Sequence, residues 1–196
     1  MPPHLALVRT PHWEETTLAL RAGFDEIAAE LGDQVQEFTL PPAAAEVQVW
    51  LRRVMEAEMA SNLVDEYQRG AEKLSPSLRA QLERGRSLSA FDYLDALARI
   101  KIVTAGLDEL FDEFDAFITP SAAGAAPLGL ESTGDPKFCS LWSYCGMPAL
   151  NLPLLQDEHG LPIGVQLVGR CNDDARLLRT ANWLWRRLAA PTGDHP

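Results

Sequence analysis

Apolar positions in the first forty residues change period twice. Leu5-Ala6-Leu7-Val8 is a short continuous apolar run closed by Arg9-Thr10-Pro11, the pattern of a strand covered on both faces. From Glu14 to Leu31 the residues Leu20, Phe24, Ile27 and Leu31 return at helical spacing. Glu14 and Glu15 would sit at the positive end of that predicted helix, and Gly32 would stop it. Val35 to Leu40 alternates as a second strand, closed by Pro41-Pro42 because proline cannot continue a ladder. Strand, helix and strand predict a parallel β-α-β unit whose sheet must recruit its other strands from later in the chain.

A long helical stretch follows, from Ala43 to Arg69. Leu51, Met55, Met59 and Leu63 form one row of it and Trp50, Val54 and Ala57 another, so it asks for cover on much of its circumference. Gly70 ends it. Ser75-Pro76 predicts a cap and first-turn proline for a short helix to Arg84, with Gly85 as its stop. A second long helix starts near Ser87 or Ser89. Its stripe Ile100, Val103, Leu107, Leu110 and Phe114 faces a core, leaving Asp108, Asp112 and Glu113 in solvent.

Strand patterning then returns at Asp115 to Thr119 and stops at Pro120. The small-residue stretch Ser121-Ala122-Ala123-Gly124-Ala125-Ala126-Pro127 leads through Gly129 and Gly134 to Asp135-Pro136, a loop able to approach a ligand closely. An aromatic helix around Phe138, Trp142 and Tyr144 ends at Gly146. Ala149 to Leu154 and Ile163 to Val168 form a hairpin across Asp157-Glu158-His159-Gly160. In its second strand Gly164 and Gln166 share one face while Ile163, Val165 and Leu167 fill the other. A buried structural hydrogen bond explains Gln166 better than a substrate contact. Asn172-Asp173-Asp174 caps a last helix with Leu177, Ala181, Leu184 and Leu188 on one face. The whole reads as α/β, a partial mixed sheet with flanking helices, in one unit over residues 1–190 with a flexible tail at 191–196.

Charge narrows the function classes. Seventeen basic against 28 acidic residues give a net charge of −11, which repels nucleic acid and anionic membranes. No stretch reaches the roughly 18 apolar residues of a membrane span, and Met1-Pro2-Pro3-His4 lacks the features of a secretory signal, so a cytoplasmic protein is expected.

The candidate chemistry is sparse. Cys139, Cys145 and Cys171 form no C-x-x-C pair, and His4, His12, His159 and His195 show no metal-binding spacing, so neither a metal nor another cofactor is expected. The acid pairs Asp108-Glu109 and Asp112-Glu113 read as helix surface rather than as a two-carboxylate hydrolase.

Five pieces from Phe114 onward carry a family resemblance: Phe114-Asp115-Ala116-Phe117-Ile118-Thr119-Pro120, Gly134-Asp135-Pro136-Lys137-Phe138, Gly146-Met147-Pro148-Ala149-Leu150-Asn151-Leu152-Pro153, Gly160-Leu161-Pro162-Ile163-Gly164-Val165-Gln166-Leu167-Val168-Gly169, and Asp173-Asp174. In this order they resemble the C-terminal block of the amidase-signature family, which includes bacterial amidases and the A subunit of the glutamyl-tRNA amidotransferase. The segment from Leu5 to Trp13 and the helices after it resemble the middle of bacterial amidases. The resemblance implies the C-terminal part of the amidase-signature fold.

It also implies chemistry whose residues are not found in the chain. Family members use a serine nucleophile, a second serine that relays a proton and a neutral lysine base, all N-terminal to the matched region. Here there is no Gly-Gly-Ser-Ser run, and Lys73, Lys101 and Lys137 have no paired serines at a suggestive spacing. No catalytic residue is therefore assigned. The resemblance makes Phe138, Trp142 and Cys145 candidates for substrate-pocket wall if a catalytic half is supplied, and a small amide is a substrate only then. Glutamine-using members carry Asn-Leu-Ala-Gly-Leu-Pro where this chain has Ser143-Tyr144-Cys145-Gly146-Met147-Pro148, which argues against tRNA amidotransfer. The expected partners are an N-terminal amidase half or a second copy, drawn by open apolar surface. The alternatives are a repurposed stand-alone binding or assembly protein, and a small hydrolase using Ser140 or Cys145.

Overall fold

The computed structural model describes residues 2–40 and 42–189; the tail expected at 191–196 lies outside them. Residue contacts divide the chain into a sheet-centred unit, Met1–Ala45 with Gly106–Pro196, and a helical unit, Glu46–Ala105. No such boundary is visible in the sequence.

The sheet-centred unit holds β1 (Leu5–Arg9), α1 (Leu18–Leu31) and β2 (Val35–Thr39), then β3 (Ala116–Pro120). The helix α2 (Val47–Asn62), α3 (Val64–Gly70), α4 (Pro76–Ser87) and most of α5 (Ala90–Asp108) separate β2 from β3 along the chain. Then come α6 (Lys137–Cys145), the hairpin β4 (Ala149–Gln156) and β5 (Pro162–Val168), and α7 (Asp174–Leu188). The five strands run in the order β2-β1-β3-β5-β4. β1 is parallel to both β2 and β3, whereas β5 is antiparallel to β3 and β4, so the sheet is mixed as the patterning predicts.

Strand alternation gives this sheet two unlike faces. Leu5, Leu7, Ala116, Ile118, Ile163, Val165 and Leu167 point to one of them and pack with Leu20, Phe24 and Ile27 of α1 and Leu177, Ala181 and Leu184 of α7. Asp173 caps α7 by accepting the Arg176 N–H. Asp115, just before β3, accepts the His4 N–H and the Arg176 guanidinium, at 2.8 and 2.6 Å. Burial raises the Asp115 pKa, but these two donors outweigh it and hold the carboxyl below the ordinary range.

Four expectations need correction. The first helix starts at Leu18, because Thr17 is extended and its hydroxyl accepts the Leu20 N–H; Glu14 and Glu15 belong to a separate 3-10 turn, Trp13–Glu15. The stretch from Ala43 is broken at Leu63 into α2 and α3. Gly85 does not stop α4 but lies inside it, since a Cβ there would stand 1.9 Å from the Glu56 carbonyl oxygen of α2. Its role is close helix approach: α2 meets α4 along Glu56 and Ala60, and Arg84 forks onto the buried Glu56 carboxylate, while Met55 of the predicted apolar row stays exposed. Finally, Asp108 and Asp112 are not simply solvated, because both accept from Arg170, at 2.7 and 3.1 Å. The Arg170 hydrogen bonds outweigh slight burial and lower the Asp108 pKa.

Candidate functional site

The second face of the sheet carries Phe117 and Thr119 of β3, Gly164, Gln166 and Val168 of β5, and Ala149 and Asn151 of β4. Register aligns Thr119 with Gln166 and Gln166 with Asn151, so three polar side chains form a row across the strands. Helix α6 covers the inner part of this face. Trp142 packs on Phe117 with ring centroids 5.9 Å apart, and Phe117 stacks on Phe111 at 4.2 Å. The Cys139 thiol approaches the Gln166 carboxamide oxygen at 3.4 Å.

This face is incompletely satisfied. Gln166 is 4% exposed, but among the described residues its amide nitrogen has no hydrogen-bond partner, and neither does the Thr119 hydroxyl or the Trp142 indole N–H. Each buried orphan costs about 1–3 kcal/mol relative to a paired group. The expected structural hydrogen bond of Gln166 is thus at most half made: its oxygen competes with the Ser121 carbonyl for the one Cys139 thiol proton, and its nitrogen has no partner among the described residues.

Beyond the row lies a cleft of about 590 Å³ lined by Ser121 to Pro127, Thr133 to Pro136, Pro162 and Gly164. The small-residue loop predicted to approach a ligand forms one wall. It is tied down where the Thr17 N–H donates to the Ala123 carbonyl at 2.7 Å, and where the Ser121 hydroxyl donates to the Gly164 carbonyl at 3.2 Å. A Cβ on Gly164 would meet the Asn151 and Ser121 side chains at 2.2 and 2.4 Å, so glycine keeps this corner open to polar groups. The lining is mostly alanine, proline and glycine, with the Ser121 and Thr133 hydroxyls and the Asp135 carboxylate as its polar side chains, chemistry suited to a small, mainly apolar group held by a few hydrogen bonds.

The charged groups beside the cleft are locked together. Lys137, at the start of α6, donates to Glu15 and lies 3.3 Å from Asp135, while His12 contacts Glu15 at 2.8 Å. The Glu15 hydrogen bond, opposed by slight burial and aided by Asp135, raises the Lys137 pKa; Lys137 and His12 in turn lower that of Glu15. Lysine and glutamate are therefore held charged, the reverse of what a lysine base requires.

Of the pocket-wall candidates, Phe138 and Trp142 are 1% exposed and Cys145 is 5% exposed, and none of them lines this cleft. Gly146 ends α6 with φ 65° and aligns the chain for β4. Ser140 is buried and donates to the Pro136 carbonyl at 3.1 Å, an ordinary bond one helical turn back. Burial raises the Cys139 thiol pKa, which keeps it from acting as a thiolate. Among the described residues no cluster of His, Cys, Asp and Glu could hold a metal ion, and no helix is long and apolar enough to cross a membrane. Sequence reasoning missed the Thr119-Gln166-Asn151 row; its signal was the polar residue on the same parity of three successive strands.

The amidase family profile matches residues 2–178. The chain belongs to the amidase-signature family. It is 26% identical to the 2-amino-5-chloromuconic acid deaminase of Comamonas testosteroni, over 89% of this chain and 41% of that protein. It is 29% identical to the A subunit of the glutamyl-tRNA(Gln) amidotransferase of Agathobacter rectalis, over 57% of this chain and 24% of that one. Among solved structures, a crystal structure of an amidase matches with a TM-score of 0.81 and 24% identity, covering 96% of this chain and 46% of its own. A protein described as part of an unexpected vestigial complex in the origins of an s-triazine catabolic enzyme matches at 0.79 and 20%, covering 94% and 42%. The amidase-signature fold is shared, and the chain spans less than half the length of each of these relatives.

Proposed function

We propose that these 196 residues are the C-terminal portion of a carbon-nitrogen bond hydrolase of the Ser, cis-Ser, Lys type, inactive alone and supplying substrate-pocket wall once a catalytic half is present. The observation that carries this reading is the state of the lysines. Lys137 is held as a cation by Glu15 and Asp135, while Lys73 and Lys101 are exposed on the helical unit. A serine hydroxyl without a neutral base is a poor nucleophile, so a shaped cleft alone does not cleave an amide. The relatives named as a deaminase and as part of an amidotransferase support carbon-nitrogen chemistry, and small amides are the substrate class.

The cleft beside Ser121 and Gly164 is where an acyl or amine group would rest. Phe138, Trp142 and Cys145 form the layer behind it and become wall if the added half moves α6. A neighbour described as a vestigial complex supports a partner rather than isolation. Co-expression with the N-terminal part of an amidase-signature enzyme that carries the paired serines tests the reading. Amide hydrolysis is expected from the mixture, lost on substitution of the added serine and reduced by Trp142→Ala. Equal hydrolysis by the added half without this chain would overturn it.

A further inference from the structure

Helix α5 shows two sides of opposite character. One is tied to α2: Arg99 lies 4.8 Å over the Trp50 ring, the Tyr93 hydroxyl donates to Glu58 at 3.2 Å, and Arg53 reaches Asp92 at 3.5 Å. The other side carries Phe91, Leu94, Ala98, Ile102 and Ala105, all of them exposed. The large members are 79% (Phe91), 60% (Leu94) and 72% (Ile102) exposed. At 100° per residue these five positions fall within a band of about 80° and form a straight seam about 21 Å long. A solvated helix face rarely repeats apolar residues at spacings of three and four over four turns; a helix-helix interface does.

Asp95 and Lys101 flank the seam, each about 60° from Ala98 but on opposite sides. That placement selects an occupant and an orientation. In a parallel two-fold pair, the edge bearing Asp95 of one copy meets the edge bearing Lys101 of the other, twice. An antiparallel pair would instead set Asp95 against Asp95 and Lys101 against Lys101. Ala98 sits at the centre, where a small side chain lets two helices approach closely. We propose that the Phe91-Leu94-Ala98-Ile102-Ala105 face is a self-association surface on which a second copy of this chain packs α5 parallel to α5, with Asp95 and Lys101 paired across it. The Asp95 carboxylate also accepts from Arg99 of its own helix at 2.9 Å. The proposal does not depend on any catalytic half.

Sedimentation of the purified chain against concentration tests it. A dimer is expected for the wild type. Lys101→Asp and Asp95→Lys should each weaken it about tenfold by replacing two attractions with two repulsions. An equimolar mixture of the two variants should regain the wild-type strength, because every pair across the seam is again opposite in charge. Ile102→Glu should leave a folded monomer by circular dichroism. A wild-type monomer at every concentration, which is also the result expected if another protein covers this face, would overturn the proposal. So would a dimer indifferent to Lys101→Asp or to Ile102→Glu.

Discussion

The two faces of the five-stranded sheet are made by the same strands and solved by different physics. Ile118 and Thr119 are neighbours in β3 and both are fully buried, yet Ile118 enters a continuous apolar cluster and Thr119 enters a polar row with orphaned atoms. The face under α1 and α7 is finished: its residues need only each other. The face under α6 spends stability on Gln166, Thr119 and Trp142 without pairing them fully, and it leads directly to the cleft. A fold tolerates such a cost where the polar groups serve something other than folding.

The contrast can be broken most severely on the finished face. Phe24→Ala, removing a fully buried ring between α1 and the sheet, should cost about 3–5 kcal/mol by chemical denaturation. A loss below 1 kcal/mol would mean that this face is not the core of the unit. At the edge of the sheet, Asp115→Asn should cost about 1 kcal/mol, because its partner Arg176 is partly exposed and solvent screens the pair. The sign with pH follows from its lowered pKa. Its contribution is complete above the unfolded-state carboxylate pKa and is lost as pH falls through the depressed folded value. Asp115→Asn should thus flatten the acid limb of the stability curve; an unchanged limb would count against the pairing.

On the α6 face the same kind of experiment should give a near-zero or opposite result. Thr119→Val keeps the shape and removes an unpaired hydroxyl, so stability should be unchanged or raised by about 1 kcal/mol. A comparable loss would show that the hydroxyl is satisfied and the row structural. Gly164→Ala should cost about 1 kcal/mol, at the low end for overpacking, since the clashing atoms are side-chain ends of Asn151 and Ser121 that can swing aside at the expense of the Ser121 bond to the Gly164 carbonyl; a loss above about 3 kcal/mol would show that this corner cannot relax.

The finished face was largely legible in the sequence. Leu20-Phe24-Ile27-Leu31, Ile163-Val165-Leu167 and Leu177-Ala181-Leu184 declare their periods without help from the rest of the chain, and the mixed sheet follows from them. Gly85 was misread because a helix stop and a close helix crossing both want glycine, and only the position of Glu56 decides between them. The Arg170 cluster and the Glu15-Lys137 pair join residues 58 to 122 positions apart, beyond the reach of any local period. At the site, the parity of Gly164 and Gln166 was visible, but the row with Thr119 and Asn151 needs the strand register. The three aromatic and thiol candidates, Phe138, Trp142 and Cys145, lie on α6 and are absent from the lining of the cleft.

The α6 face brings Ser140, the three-residue lock around Lys137 and the cleft together, so a serine-lysine site in this chain alone would be tested there first. The direct measurement is turnover of simple aliphatic and aromatic amides by the purified chain, with Ser140→Ala and Lys137→Met prepared alongside. Release of amine no faster than in buffer, identical in all three proteins, is the predicted result. Turnover by the wild type that disappears in either variant would contradict it.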